Sequence, residues 1–148
     1  MVRTVKVHLD SSVLFAGIWS DAGGSRMILR LGEAGALQIF VSSQVLSEVE
    51  SAVRRKAPET LGFLALFLDR SRISVLSQPD EEIVKTCMQI VQHPGYAQVL
   101  AASWSSDVDY FVTLDKKHFL ENLDLLQAAQ FQIGTPGDFL AWFRTMLQ

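Results

Sequence analysis

A single cysteine, four prolines and no apolar run of membrane length mark this 148-residue chain by scarcity. With Cys87 alone, no internal disulfide can form, and a reducing compartment is the natural setting. The longest strongly apolar stretch, 61–68, ends against Asp69 and Arg70, whereas a spanning helix needs about 20 such residues. The N-terminal stretch 1–8 alternates and lacks the continuous apolar core of a signal peptide, so a cytoplasmic protein with no membrane association is expected. No Cys or His pair has zinc spacing. Gly23-Gly24-Ser25 lacks the lysine of a phosphate-binding loop and reads as a turn. Positive charge is also short: 13 Lys and Arg stand against 16 Asp and Glu, for a net charge of −3. That argues against broad, non-specific adhesion to nucleic acid, which usually needs a basic face. It does not exclude a nuclease, because cations bound at an acidic site cancel its charge locally. Repeats, low-complexity tracts and linker-like composition shifts are absent, and 1–148 reads as one domain.

What is present is apolar character, 49% of the chain, suited to a sheet covered on both faces. Strand-like segments at 5–9, 37–41, 73–76, 110–114 and 131–133 alternate with helical ones, which points to βαβ units and a parallel sheet. Helical patterns cover 11–18, 25–34, 43–55, 59–70, about 80–91, 97–105 and the stretch after Pro136. The 43–55 pattern places Val45, Val49 and Val53 on one face, with Ser42 or Ser43 as its N-cap. The 59–70 segment is apolar enough to wedge against the sheet, and His93-Pro94-Gly95 breaks the chain. Cys87 and the three tryptophans, Trp19, Trp104 and Trp142, read as packing residues.

The acids carry the chemistry. Asp10 directly follows the first strand and Asp115 the fourth, while Glu48 lies in the second turn of the helix after the second strand. In an open parallel sheet, ligands bind outside the carboxyl ends of the strands where strand order reverses. Converging carboxylates there suit a hard cation such as Mg²⁺ or Mn²⁺, which takes oxygen ligands and keeps several waters. Each acid also has a purely structural use: Asp10 as a helix N-cap, Asp115 as a loop acid beside Lys116 and Lys117, Glu48 as a solvated helix residue. Asp80, Glu81 and Glu82 are first-turn acids that complement a helix dipole, and turn chemistry explains Asp107 and Asp109.

Three stretches resemble the PIN-domain family. Leu9-Asp10-Ser11-Ser12-Val13-Leu14 is similar to its opening Asp-Thr-Asn-Val-Leu. Val41 to Val49 resembles its Ser-x-x-Leu-x-Glu helix, and Asp109 to Leu120 its Asp-Tyr-Leu-Val-Thr-Gly-Asp segment. The ending Ile133-Gly134-Thr135-Pro136 also fits, and the likeness is strongest to the stand-alone bacterial, toxin-like branch. The resemblance implies a three-layer α/β/α sandwich around a central parallel sheet, and cleavage of single-stranded RNA with Mg²⁺ or Mn²⁺. It implies Asp10, Glu48 and Asp115 as metal-binding catalytic acids, with Ser12 at the small polar position beside the first. Lys116, Lys117 and Arg26 are the candidates for holding the RNA backbone. An antitoxin protein is the partner that the toxin-like branch implies, and the apolar helices would allow a homodimer.

Two departures from the family pattern stand out. The usual Asp-Ala-x-Ile-Leu-Ala-Ala-Ala is here Tyr96-Ala97-Gln98-Val99-Leu100-Ala101-Ala102-Ser103, and Lys117 replaces an acid found in some members. A phenol with a pKa of about 10 is neutral at pH 7 and substitutes poorly for a carboxylate. His93 could offer a nitrogen, which a hard cation disfavours. Two functions therefore stand: a metal-dependent ribonuclease with an incomplete acidic site, or a non-catalytic module of the same fold that binds RNA or a protein. A receiver-like phosphoacceptor would need an acid where Ser77-Gln78-Pro79 stands.

Overall fold

Short β-branched and aromatic runs make the strands, and the residues that interrupt them make the caps. In the computed structural model, which describes residues 3–147, the chain begins with β1 (Lys6–Leu9), α1 (Ser11–Trp19) and α2 (Gly24–Glu33). Then come β2 (Gln38–Val41), α3 (Ser43–Lys56), α4 (Leu61–Arg70) and β3 (Ser74–Val75). A long connection of α5 (Glu81–Val91) and α6 (Pro94–Trp104) leads to β4 (Tyr110–Val112). The chain closes with α7 (Leu123–Ala128), β5 (Gln132–Gly134) and α8 (Pro136–Met146). Residues 1, 2 and 148, to which the readings of the N-terminal stretch and of domain extent also apply, lie outside this description.

All five strands are parallel, in the order β3-β2-β1-β4-β5. The sheet is thus α/β with helices on its faces, as expected, because parallel neighbours need crossovers and these are right-handed. β1 is central: Val7, His8 and Leu9 are fully buried, and the strand pairs with β2 through Val7↔Ile39 and with β4 through His8↔Phe111. The chain moves outward from β1 to β3, then crosses back to β4. Strand order therefore reverses between β1 and β4, and a crevice opens at their carboxyl ends. α1 packs on α2 and α3, α2 on α8, and α5 on α6. Among the described residues no helix is long and apolar enough to cross a membrane.

Most caps follow the residue chemistry. The Ser42 hydroxyl accepts from Val45 N at 3.0 Å, and Asp80 accepts from Glu82 N at 2.9 Å. Thr135 and Asp138 form a reciprocal capping box around Pro136. Cys87 is buried in the core, and Trp104 and Trp142 pack against it.

Three expectations fail. α4 meets α3 and the core by one side only rather than being wedged in: Leu64 is buried, Leu61, Phe67 and Leu68 pack partly against the core, and Phe63 is 62% and Leu66 43% exposed. α6 begins at Pro94 rather than 97, because a proline at the first helical position has its φ already set and needs no N–H partner; His93 caps it. Trp19 is 49% exposed and is no core residue.

Candidate active site

Asp10 leaves β1 in extended geometry and caps α1, its Oδ1 accepting from Ser11 N at 2.9 Å. Its backbone N–H continues the β1–β4 ladder by donating to Val112 O at 2.9 Å, and its Oδ2 accepts from the Thr113 hydroxyl at 2.7 Å. Thr113 Oγ1 in turn accepts from Asp115 N at 3.1 Å, so one buried hydroxyl ties the first acid to the backbone of the second. Ser12 is held alongside, its Oγ accepting from Leu114 N at 3.3 Å. Both the capping use and the strand-end position expected of Asp10 therefore coexist in one side chain.

Asp115 opens a short π-helical turn, Lys116–Leu120, and Oδ1 accepts from His118 N at 3.0 Å. The His118 ring folds back so that Nδ1 lies 3.1 Å from Asp115 Oδ2. Tyr96, from the start of α6, stacks on His118 with centroids 3.9 Å apart, while its edge meets Phe119 at 5.6 Å and His93 lies 4.7 Å away. Glu48 faces the crevice from α3, exposed, with Gln44 Nε2 donating to Oε1 at 3.1 Å.

These side chains enclose a cavity of about 480 Å³ lined by Asp10, Ser12, Glu48, His93, Tyr96 and Asp115, among others. No Lys or Arg among the described residues lines it. The electrostatics follow. Burial pushes the Asp10 carboxyl up to about 6; hydrogen bonds from Thr113 and Ser11 oppose this, and the charges of Glu48 and Asp115 add to it. Burial, then the charge of Asp115, raises the Tyr96 phenol above its ordinary value, so it stands in the crevice as a neutral group. Among the described residues no three His, Cys, Asp or Glu side chains converge closely enough to form a ready metal cage.

Of the residues singled out in the sequence, Asp10, Ser12, Glu48 and Asp115 meet at this cavity. Lys116 and Lys117 do not line it and are exposed on the π turn. Arg26 is committed elsewhere: its Nε donates to Gly17 O at 2.6 Å, and its guanidinium lies 4.6 Å from the Phe67 ring centre. The site also uses Thr113 and His118, two further residues of the Asp109–Leu120 stretch. A threonine two residues before an acid at a strand end was the available signal.

No family model matches the sequence, and no curated protein matches it. Solved structures do. A chain in the crystal structure of VapBC2 from Rickettsia felis bound to a DNA fragment from their promoter matches with a TM-score of 0.67 at 16% identity, covering 87% of this chain and 97% of that one. A chain in the crystal structure of DNA-bound VapBC from Salmonella typhimurium matches with a TM-score of 0.68 at 13% identity, covering 90% and 99%. At such identities the likeness concerns the backbone, and it spans most of this chain and nearly all of each matched one: the fold is the PIN-like α/β sandwich.

Proposed function

We propose that the chain is a Mg²⁺- or Mn²⁺-dependent endoribonuclease acting on single-stranded RNA in the cytoplasm, the toxin half of a toxin–antitoxin pair. The observation that carries this reading is Asp10: a carboxyl 5% exposed, flanked by two further carboxylates, in a cavity that no Lys or Arg lines. A buried carboxyl beside like charges is costly unless a cation joins them. The donor set fits a hard dication. Carboxylate and hydroxyl oxygens predominate, and Mg²⁺ commonly takes one or two carboxylates while keeping several waters, so a closed cage of three side chains is not required.

Asp10 and Asp115 would hold the ion, with Glu48 reaching it from α3 directly or through water. A bound dication supplies Lewis-acid polarisation of a phosphodiester and a water of lowered pKa. The protein supplies the rest. Thr113 holds Asp10 and the Asp115 backbone in register, and His118 fixes the Asp115 carboxylate. Ser12 lines the mouth beside them, and the exposed Lys116 and Lys117 are suited to phosphates arriving from solvent. The VapBC neighbours were solved as complexes with DNA, which supports a partner chain of antitoxin type for this protein. Pairing of two copies belongs to the same proposal, and sedimentation equilibrium reads it.

Calorimetric titration with Mn²⁺ tests the site: the wild-type chain should bind, and Asp10→Asn should lose both binding and RNA cleavage while keeping its fold. Cleavage retained by that variant would sink the assignment. Tyr96 favours a second reading, a binding module of the same fold that has lost catalysis, because a neutral phenol stands over Asp115. Under that reading the wild-type chain neither binds Mn²⁺ at millimolar concentration nor cleaves RNA, and Tyr96→Asp restores both.

A further inference from the structure

α1 turns one face inward through Val13, Leu14 and Gly17 and another toward α3. On that second face Ser11, Phe15 and Trp19 recur every fourth residue and so line up along the helix. Opposite them on α3 stand Glu48, Ala52, Arg55 and Lys56. Between the helices runs a groove of about 750 Å³. Ser11 and Glu48 line both this groove and the acidic cavity, so the two are continuous.

The groove changes character along its length. The acids stand at one end. At the other, Arg55 and Lys56 are exposed and make no ion pair among the described residues, although the adjacent Arg54 is bound to Glu50 at 2.9 Å. Between the ends, the Phe15 and Trp19 rings stack at 5.2 Å with planes 25° apart, above a floor of alanines. Trp104 and Trp142 pack against the core, while Trp19 stays 49% exposed. From Ser11 to Trp19 the helix rises about 12 Å.

We propose that this groove is the track along which single-stranded RNA leaves the acidic cavity, with bases stacked on Phe15 and Trp19 and phosphates met by Arg55 and Lys56. The proposal rests on the ribonuclease reading and extends it to a second binding surface. Aromatic platforms accept any base, because every base has a π-face, and cations beside them follow the backbone without reading sequence. The spatial order also makes chemical sense. A polyanion is repelled by the bare acids, so affinity that does not depend on metal must come from surface beyond them, and the groove adjoins the mouth directly.

The experiment uses the full chain and a short, mixed-sequence, fluorescein-labelled single-stranded RNA, read by anisotropy in the Asp10→Asn background where cleavage is off. Trp19→Leu keeps the apolar bulk but removes the π-face and should weaken binding about tenfold, whereas Trp19→Phe should stay close to the parent. Arg55→Gln with Lys56→Gln should lower the slope of log affinity against log salt by about 1.4, at about 0.7 for each of two lost single-strand phosphate contacts. Thermal melts matching the parent confirm that these exposed substitutions leave the fold intact. If wild-type chain cleaves RNA but Trp19→Leu and the double variant bind as the parent does, the track is overturned, the ribonuclease reading stands, and the groove is left for a helical segment of a protein partner. If the parent binds no RNA even at low salt while the wild-type chain cleaves it, the track falls alone; if the parent does not bind and the wild-type chain does not cleave, the track and the ribonuclease reading fall together.

Discussion

The two ends of the sheet treat their acids in opposite ways. At the amino ends of the strands, Asp109 is paired with the Arg3 guanidinium and accepts from Lys6 N at 2.8 Å, and Asp107 is bound to Lys6 Nζ at 2.9 Å. Lys6 holds the Asp107 carboxyl below its ordinary pKa. At the carboxyl ends, Asp10 and Asp115 are held by hydroxyl, amide and imidazole groups, no Lys or Arg lines the cavity, and burial drives Asp10 the other way, to about 6. Acids that serve the fold are matched with cations of the chain. Acids held by hydroxyl, amide and imidazole groups are oriented while their charge stays available to something from outside.

The comparison breaks most completely at Asp10. Asp10→Asn should lower RNA cleavage about a thousandfold or more, since a bound metal is worth several kcal/mol to the transition state; gel assays on single-stranded RNA measure it. A pH-stability profile reads the next largest effect. Asp10 has a folded pKa of about 6 against an ordinary value of 3.8, so the folded chain holds the extra proton between those values. Stability contributed by this group is greatest at the acid end of that window and falls as pH rises through it. At about 1.4 kcal/mol per pKa unit, the cost at neutral pH approaches about 3 kcal/mol. Thermal melts from pH 4 to 7 should show this slope, and both Asp10→Asn and added Mn²⁺ should flatten it.

The amino end should respond in the opposite sense. Asp109→Ala strips the Lys6 amide of its partner and should cost about 2 kcal/mol in denaturant titration, with Mn²⁺ affinity unchanged. The smallest effect sharpens the contrast: Tyr96→Asp adds one more carboxylate beside Asp115 and should tighten Mn²⁺ binding roughly tenfold by calorimetry.

Where a residue's job is local, the sequence displays it. Asp10 and Asp115 are legible because each directly follows an apolar run, and the alternation of runs and helical patterns specifies a parallel sheet. The partner of Thr113 is not legible, since Asp10 lies 103 residues away and only the β1–β4 pairing brings the two together. His118 is hidden for a related reason: the π turn that folds its ring onto Asp115 has no hydrophobic period. α4 misleads because apolarity on every side indicates affinity for some apolar surface without saying which, and Phe63 and Leu66 are left facing solvent. Tyr96 is informative only against a family pattern; by composition it is one more aromatic residue at the start of a helix.

The pairing of β1 with β4 also sets an order of events during synthesis. β1 is made first and its inner ladder partner comes late, more than 100 residues on, as the 103-residue separation of Asp10 and Thr113 records. Until then Val7 and Leu9 can pair only with β2, leaving one edge of an apolar strand open on the nascent chain. Released fragments that stop before Tyr110 lack both Thr113 and Asp115, so they cannot assemble the acidic crevice whatever else they fold. Whatever chemistry this crevice performs, the ribosome withholds it until β4 and the acid that follows it have been made.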